Sequence, residues 1–349
     1  MKIGFFSPYL DTFGGGERYI LTLASYLSKK HNVEIFWDDP SIKASLSRFL
    51  KIDLGSTTFK KNIFQQDSIK KALTTRGYDL IFILSDGSVP FSLAKRNILH
   101  FQVPFHFPKP TISTKSKLKC YQHIVANSYF TKKFIDESFN VDSKVIYPPV
   151  DTRSINIGQK ENIILSVGRF SPNQLHPKKQ EILIEVFKEL YKKASSWKLY
   201  LVGQAKKEDQ KYIRHLRIIA RGHAIKIIDN LPIDNLRNLY SKAAIYWHAT
   251  GFGEDENKNP EKMEHFGIST VEAMAAGAVP IVINKGGQKE IIEDNKNGLL
   301  FSTKTELLDK TLEIIVNAER RKKLSQNAVN SSKKFSKENF FKEYEKIIY

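Results

Sequence analysis

Glu264 and Glu272 stand eight positions apart in the run Glu264-His-Phe-Gly-Ile-Ser-Thr-Val-Glu272, which continues as Ala-Met-Ala-Ala-Gly277-Ala-Val-Pro280. A glycine loop separates the two carboxylates, and a helix is expected to begin near the second. Backbone N–H groups around Gly267, Ile268 and Ser269 would then lie at a helix N-terminus, where unpaired amides and the helix dipole favour an anion such as a diphosphate. In that setting Glu264 could accept hydrogen bonds from sugar hydroxyls, and Glu272 from ribose hydroxyls. The plainer alternative is that Glu272 sits in the first helical turn and only stabilises its positive end. Either glutamate alone reads that way; the whole run points to a site.

Other residues could join it. Gly14-Gly15-Gly16 follows the first apolar run, and small residues there let a ligand approach the backbone closely. The alternative is an ordinary turn. The spacing is not G-x-G-x-x-G, which argues against a dinucleotide-dependent dehydrogenase. His100 ends an apolar run in Leu-His-Phe-Gln-Val-Pro, where a neutral imidazole could hydrogen-bond a sugar or help manage a proton. His248 ends another run, Tyr-Trp-His-Ala-Thr-Gly, and takes no assigned role. Gly286-Gly287 and Glu290 suit either close approach of a ligand or a turn with an acid at a helix start. No Asp-x-Asp motif of the kind that holds a catalytic Mg²⁺ is evident. Asp38-Asp39 and Glu254-Asp255-Glu256 read as solvated turns.

The elements that would position these residues alternate along the chain. Short apolar runs at Lys2–Phe6, Val33–Trp37, Asp79–Leu84, Asn97–Phe101, His123–Ala126 and Lys144–Ile146 read as strands. Helical stretches lie between them, after Gly16, near Asp67–Arg76 and over Ser128–Phe139. The pattern stops at Tyr147-Pro148-Pro149-Val150-Asp151, where consecutive prolines cannot continue a helix or a central strand, so an interdomain linker is expected. It then restarts, with strands at Ile163–Val167, Lys198–Val202, Ile225–Ile228, Ala244–Trp247, Val279–Ile283 and Gly298–Phe301. Helices are expected at Lys179–Lys193, Asp209–Ala220, Asp234–Ser241 and Thr270–Ala276, and over most of Leu307–Tyr349. Such alternation implies two α/β halves with parallel sheets. Open sheets of this kind bind ligands at their strand ends, so a cleft between the halves is expected.

Composition agrees with a two-domain globular chain: 349 residues, 41% hydrophobic and 11% aromatic. One cysteine, Cys120, leaves no intramolecular disulfide framework and no cysteine-based metal cluster. No apolar run approaches the length of a membrane-spanning helix. Pro8 and Asp11 interrupt the N-terminus before a signal-peptide core could form, so a cytoplasmic location is expected. The net charge is +18, with 21 Lys+Arg against 12 Asp+Glu in residues 1–150 and the remainder equally in excess over 151–349. So even a spread argues against a nucleic-acid-binding face. It leaves open an anionic membrane surface, a phosphate-rich substrate, or simply many solvated lysines.

The order and spacing of several segments resemble family 4 of the retaining glycosyltransferases, which have the GT-B architecture. The resemblance spans nearly the whole chain. It rests on Gly14-Gly15-Gly16-Glu17-Arg18, Asn127-Ser128-Tyr-Phe-Thr, Tyr147-Pro148-Pro149-Val150-Asp151, Gly168-Arg169-Phe170, the Glu264–Glu272 run and Gly286-Gly287-Gln-Lys-Glu290. It implies two Rossmann-like domains facing a central cleft. Residues 1–150 would form the acceptor-side domain and residues 151–334 the nucleotide-sugar domain, with a C-terminal helix over about 335–349 returning to the first.

The resemblance further implies that Arg169 and Lys178 bind the donor diphosphate. Cations suit a leaving group on which negative charge grows, and they would stand in for a metal. Lys179 is adjacent and the Pro172–Pro177 loop is longer than usual, so a solvated Lys178 is the alternative. A family histidine near the donor sugar matches His100 better than His106. The implied catalytic set is His100, Glu264, Arg169 and Lys178. The implied donor contacts are Gly14, Gly15, Gly16, Phe266, Gly267, Ile268, Ser269 and Glu272, with no metal and no cofactor. Retention of anomeric configuration is implied too, with same-face attack by an acceptor hydroxyl and the leaving diphosphate taking the acceptor proton. The two glutamates would grip the donor rather than flank a scissile bond as a hydrolase pair does.

Within the family, the stretch from Tyr246 to Thr270 looks like mannosyltransferases of the lipid-linked oligosaccharide type. GDP-mannose is the preferred donor, with UDP-glucose and UDP-N-acetylglucosamine as alternatives. The expected acceptor is a glycan or polyprenyl-linked intermediate, reached peripherally at a membrane. A sugar-nucleotide epimerase of the same fold and a basic polyanion-binding protein are the competing readings. A phosphorylase would need a pyridoxal-phosphate lysine, for which no context is found.

Overall fold

A computed structural model describes residues 1–349, with Ser68 described by its backbone alone. The chain forms two compact units, one of Met1–Pro149 with Glu338–Tyr349, the other of Val150–Lys337.

The first unit holds strands β1 (Lys2–Phe6), β2 (Asn32–Phe36), β3 (Thr57–Lys60), β4 (Leu80–Ser85), β5 (Arg96–Phe101), β6 (His123–Ala126) and β7 (Lys144–Val145). They pair in the order β3-β2-β1-β4-β5-β6-β7, all parallel. β4 is buried along its whole length, as a strand covered on both faces must be. Chain order reverses between β1 and β4, so the loops after these strands diverge and open a crevice at their C-terminal ends.

β3 and the helix Ile42–Leu50 were not anticipated. β3 is a four-residue edge strand with a mixed burial pattern, so it carries neither the apolar run of a central strand nor a clean alternation. The helix buries only Leu46 and Leu50, one narrow stripe.

The second unit holds β8 (Glu161–Val167), β9 (Lys198–Gly203), β10 (Ile225–Asp229), β11 (Ala243–His248), β12 (Val279–Ile283) and β13 (Leu299–Phe301). Their order is β10-β9-β8-β11-β12-β13, again parallel throughout. Both units therefore share the 3-2-1-4-5 order of a Rossmann sheet.

The double proline lies at the end of the first unit, and the next residue is already tied into the second. The Val150 N–H donates to the Phe335 carbonyl at 3.0 Å, and the Asp151 carboxylate accepts from Lys337 Nζ at 2.9 Å. The final helix, Lys337–Ile348, then adds Phe340, Tyr344, Ile347 and Ile348 to the core of the first unit. Tyr19 ties it there, its hydroxyl lying 2.8 Å from that of Tyr344 while donating to the Ile146 carbonyl at 3.0 Å. Each of these apolar side chains stabilises the unit by about 2 kcal/mol through burial. Among the described residues no helix is long and apolar enough to cross a membrane.

Candidate functional site

In the second unit the conspicuous cluster forms where β8 and β11 end. The turn after β8 carries Gly168-Arg169, and a loop through Pro172–Pro177 brings in Lys178 just before the helix Gln180–Lys193. Lys178 Nζ donates to Glu264 Oε2 at 2.7 Å, with the two side chains only 13% and 15% exposed. His248, at the end of β11, places Nε2 2.8 Å from the same oxygen, out of line for a straight hydrogen bond. Burial alone would raise the Glu264 pKa, but the Lys178 ammonium and His248 outweigh it and hold the carboxyl well below its ordinary value. Burial lowers the His248 pKa against the pull of Glu264, so that ring is neutral at pH 7. The result is a charged carboxylate held in place by one cation and one neutral imidazole.

This separates the two lysines. Lys179 has a left-handed backbone (φ 55°) and turns away to Glu254, 3.0 Å distant. The Arg169 guanidinium makes no hydrogen bond or ion pair among the described residues, while its backbone carbonyl accepts from Gln180 Nε2 at 3.0 Å. An uncommitted cation on a fixed backbone beside a charged pair can receive an anion with little rearrangement.

Glu264 leads through the loop His265–Gly267 into the helix Ile268–Ala275. Gly267 stands at φ 121°, where a side chain is strained, and a Cβ there would lie 2.5 Å from Gln288 Nε2. The Gly267, Ile268 and Ser269 amides donate to no protein group among the described residues. Phe266 turns its ring inward onto Phe335, with centroids 5.3 Å apart, so only its backbone is available to a ligand. Ser269 Oγ accepts from Tyr246 OH at 2.8 Å, which fixes the first helical turn to β11. Glu272 falls in the second turn, so the first-turn dipole explanation for it does not apply; its Oε2 accepts from Tyr240 OH at 3.0 Å.

Two readings of loops are corrected. Gly286 and Gly287 admit protein backbone: the Gly287 N–H donates to the Glu264 carbonyl at 2.8 Å, and a Cβ on Gly286 would sit 2.5 Å from that same oxygen. They clamp the Glu264 loop. Glu254-Asp255-Glu256 is no solvated turn either. Glu254 pairs with Lys179 and Lys262, and Glu256 takes Lys289 Nζ at 2.7 Å and the Gly286 N–H at 3.0 Å.

In the first unit, Gly14 precedes a helix that runs Gly15–Ser28. A Cβ on Gly16 would meet Gln102 Oε1 at 2.8 Å, and Gln102 Nε2 lies 3.1 Å from His100 Nε2. His100 itself has no exposed surface. Its ring stacks on Tyr19 with centroids 4.0 Å apart, and burial pushes its pKa down to about 3. The expectation that this imidazole meets a sugar directly is therefore amended: as placed, it reaches a ligand only through Gln102. His106 lies edge-on to Phe134.

Sequence reasoning passed over Tyr246 and His176. Tyr246 and His248 sit two apart on β11 and so share a sheet face, a signal that was legible. His176 gave none, being one residue in an irregular loop. Its ring lies 4.8 Å from His265, and burial, followed by Lys178, keeps its pKa well below the ordinary histidine value.

Comparison with known proteins bears on the family and the fold. The family profile "Glycosyl transferases group 1" matches residues 149–331, and "Glycosyltransferase Family 4" matches residues 13–154. A Homo sapiens protein named GDP-Man:Man(3)GlcNAc(2)-PP-Dol alpha-1,2-mannosyltransferase is 27% identical over 97% of this chain and 85% of its own length. Its Dictyostelium discoideum namesake is 29% identical over 61% of this chain, a match spanning only 43% of that relative. An uncharacterised glycosyltransferase of Methanocaldococcus jannaschii is 28% identical over 92% of this chain and 86% of its own. Among solved structures, Anabaena HepE in complex with UDP and glucose superposes with a TM-score of 0.71 at 18% identity, covering 100% of this chain and 99% of that one. A Rickettsia africae glycosyltransferase gives 0.73 at 17% identity, covering 99% and 97%. These structural likenesses carry the GT-B fold, and the two profiles together place the chain in the group 1 and family 4 glycosyltransferases.

Proposed function

We propose that the protein is a retaining, metal-independent hexosyltransferase that takes mannose from GDP-mannose and delivers it to a glycan or lipid-linked acceptor. The observation that carries this is the charged Glu264 paired to Lys178 on the loop that enters the open amide end of the helix Ile268–Ala275. The amides and Arg169 receive the donor diphosphate, and Lys178 can leave Glu264 to join them. Glu264, freed from its ammonium, accepts from the sugar hydroxyls, and Glu272 accepts from the ribose. The acceptor hydroxyl attacks on the face the diphosphate leaves, and the departing phosphate oxygen takes its proton. Fixed cations and amides do the work a metal would do. The preference for mannose rests on the relatives' names. Contact with an anionic membrane face rests on the basic surface.

The test is transfer from labelled GDP-mannose, UDP-glucose and UDP-N-acetylglucosamine, with the anomeric coupling of the product read by NMR. Glu264→Ala and Arg169→Ala should each lower turnover about 100-fold or more, the scale of losing a group that stabilises a transition state. Wild-type rates in both would remove the site. Loss of activity in EDTA, restored by Mg²⁺, would overturn the metal-free chemistry. An isomerised sugar formed from donor alone would favour the epimerase.

A further inference from the structure

The loop 249–263 leaves β11 at His248 and returns at Glu264, so it joins two groups that meet over one carboxylate oxygen. The charged groups in its middle take no part in the donor reading above. Gly251 and Gly253 stand at φ 94° and 79°, and the Glu254 N–H donates to the Gly251 carbonyl at 3.1 Å, which closes a tight turn. The Lys285 ammonium donates to the Glu254 carbonyl from the other side. So fixed, the Glu254 carboxylate spans two lysines: Oε1 accepts from Lys179 Nζ at 3.0 Å and Oε2 from Lys262 Nζ at 3.2 Å. Partial burial would raise its pKa, but Lys179 and Lys262 outweigh that and hold the carboxyl below its ordinary value.

Opposite this turn, Lys178, Lys179 and Gln180 each go to a different segment. Lys178 reaches Glu264, and its stem passes so close to Gly168 that a Cβ there would lie 2.7 Å from Lys178 Cγ. Gln180 Nε2 donates to the Arg169 carbonyl. Lys179, between them, stands at φ 55°, a conformation disfavoured for any residue with a side chain. That left-handed step sends two adjacent ammonium groups to two separate carboxylates. Without Glu254 the strain at Lys179 has no ion pair to offset it, and both ammonium groups are free to compete for Glu264. We propose that Glu254 is a positioning residue for glycosyl transfer: by holding Lys179 it keeps the left-handed step and reserves the place opposite Glu264 for Lys178. The role rests on the reading of Lys178 and Glu264 as donor ligands.

The experiment measures kcat and KM on the full chain, with whichever of GDP-mannose, UDP-glucose and UDP-N-acetylglucosamine the wild type transfers fastest. Glu254→Ala should lower kcat about 10- to 100-fold, the scale of a catalytic group displaced by about an ångström. KM should move by no more than about threefold, because the charge that Lys178 meets grows only as the bond to the diphosphate breaks. With Lys179 and Glu254 25% and 21% exposed, their ion pair adds little to stability, so unfolding temperatures should stay within about 3 °C of the wild type. Glu254→Gln keeps the size of the side chain and should lower kcat less; it replaces the alanine variant if that chain does not fold. Lys179→Gly/Glu254→Ala removes the competing ammonium and leaves a residue that adopts φ 55° freely, so kcat should return to within about threefold of the wild type. Wild-type kcat in both single variants would overturn the role. So would a loss that the double variant does not rescue, since Glu254 would then act on the donor or its own loop and not through Lys179. Lys178→Ala keeps the two readings apart: wild-type turnover there would sink the donor site itself, whereas a loss there beside a wild-type Glu254→Gln would sink only the positioning role.

Discussion

Single residues in this protein owe their chemistry to their surroundings. Glu264 is charged because Lys178 and His248 face it, and His100 is neutral because burial strips water from its ring. The second case predicts how stability responds to acid. His100 titrates at about 3 in the folded chain, against 6.5 when unfolded. Between those values the unfolded chain binds a proton that the folded one does not, so stability falls as pH drops from 7. By pH 5 the loss from this residue alone is about 2 kcal/mol. Glu264 adds a second fall at lower pH: its contribution is complete above the ordinary carboxylate range and vanishes as pH drops through its depressed folded value. Urea unfolding of the wild type and His100→Gln at pH 7 and pH 5 checks this. The variant should lose about 2 kcal/mol less over that interval, and equal slopes would reassign the acid sensitivity to other buried histidines.

At the scale of elements, the site depends on loops pressed together where glycine alone fits. Gly286 and Gly287 abut the carbonyls of Glu264 and His265, and Gly203, ending β9, abuts the carbonyl of Gly168. A methyl group at any of them moves a loop that carries a site residue. Gly287→Ala should therefore displace Glu264 and cost about 1–3 kcal/mol, as overpacking does. Its near-UV spectrum should stay native while the thermal stabilisation by GDP-mannose is largely lost. Full stabilisation in that variant would show that the Glu264 loop does not position the donor. The glycine pair and the carboxylate run were both visible in the sequence; that one clamps the other was not, because the contact joins residues more than twenty positions apart. Edge strand β3 was equally hidden, since Thr57-Thr-Phe-Lys60 offers neither an apolar run nor an alternation of apolar and polar residues.

For the whole molecule, the final helix matters most. The chain crosses into the second unit at Val150, returns after Lys337 and packs the helix Lys337–Ile348 into the core of the first. Phe340→Ala should cost about 3–5 kcal/mol, the usual range for a buried aromatic, and should destabilise the first unit selectively. Limited proteolysis would then cleave within residues 1–149 while 150–337 stays protected; uniform cleavage would mean the helix carries little of that unit's stability.

The sequence by itself determined the α/β class, the alternation of strand and helix in both halves, and the family, because apolar periodicity and ordered short motifs are local properties that survive without contacts. It also placed the Glu264 run on a loop entering a helix. Only the tertiary structure decided that Lys178 rather than Lys179 meets Glu264, and that His100 is sealed behind Gln102. Each of these depends on which distant segments the two sheets bring side by side, and on what burial then does to charge.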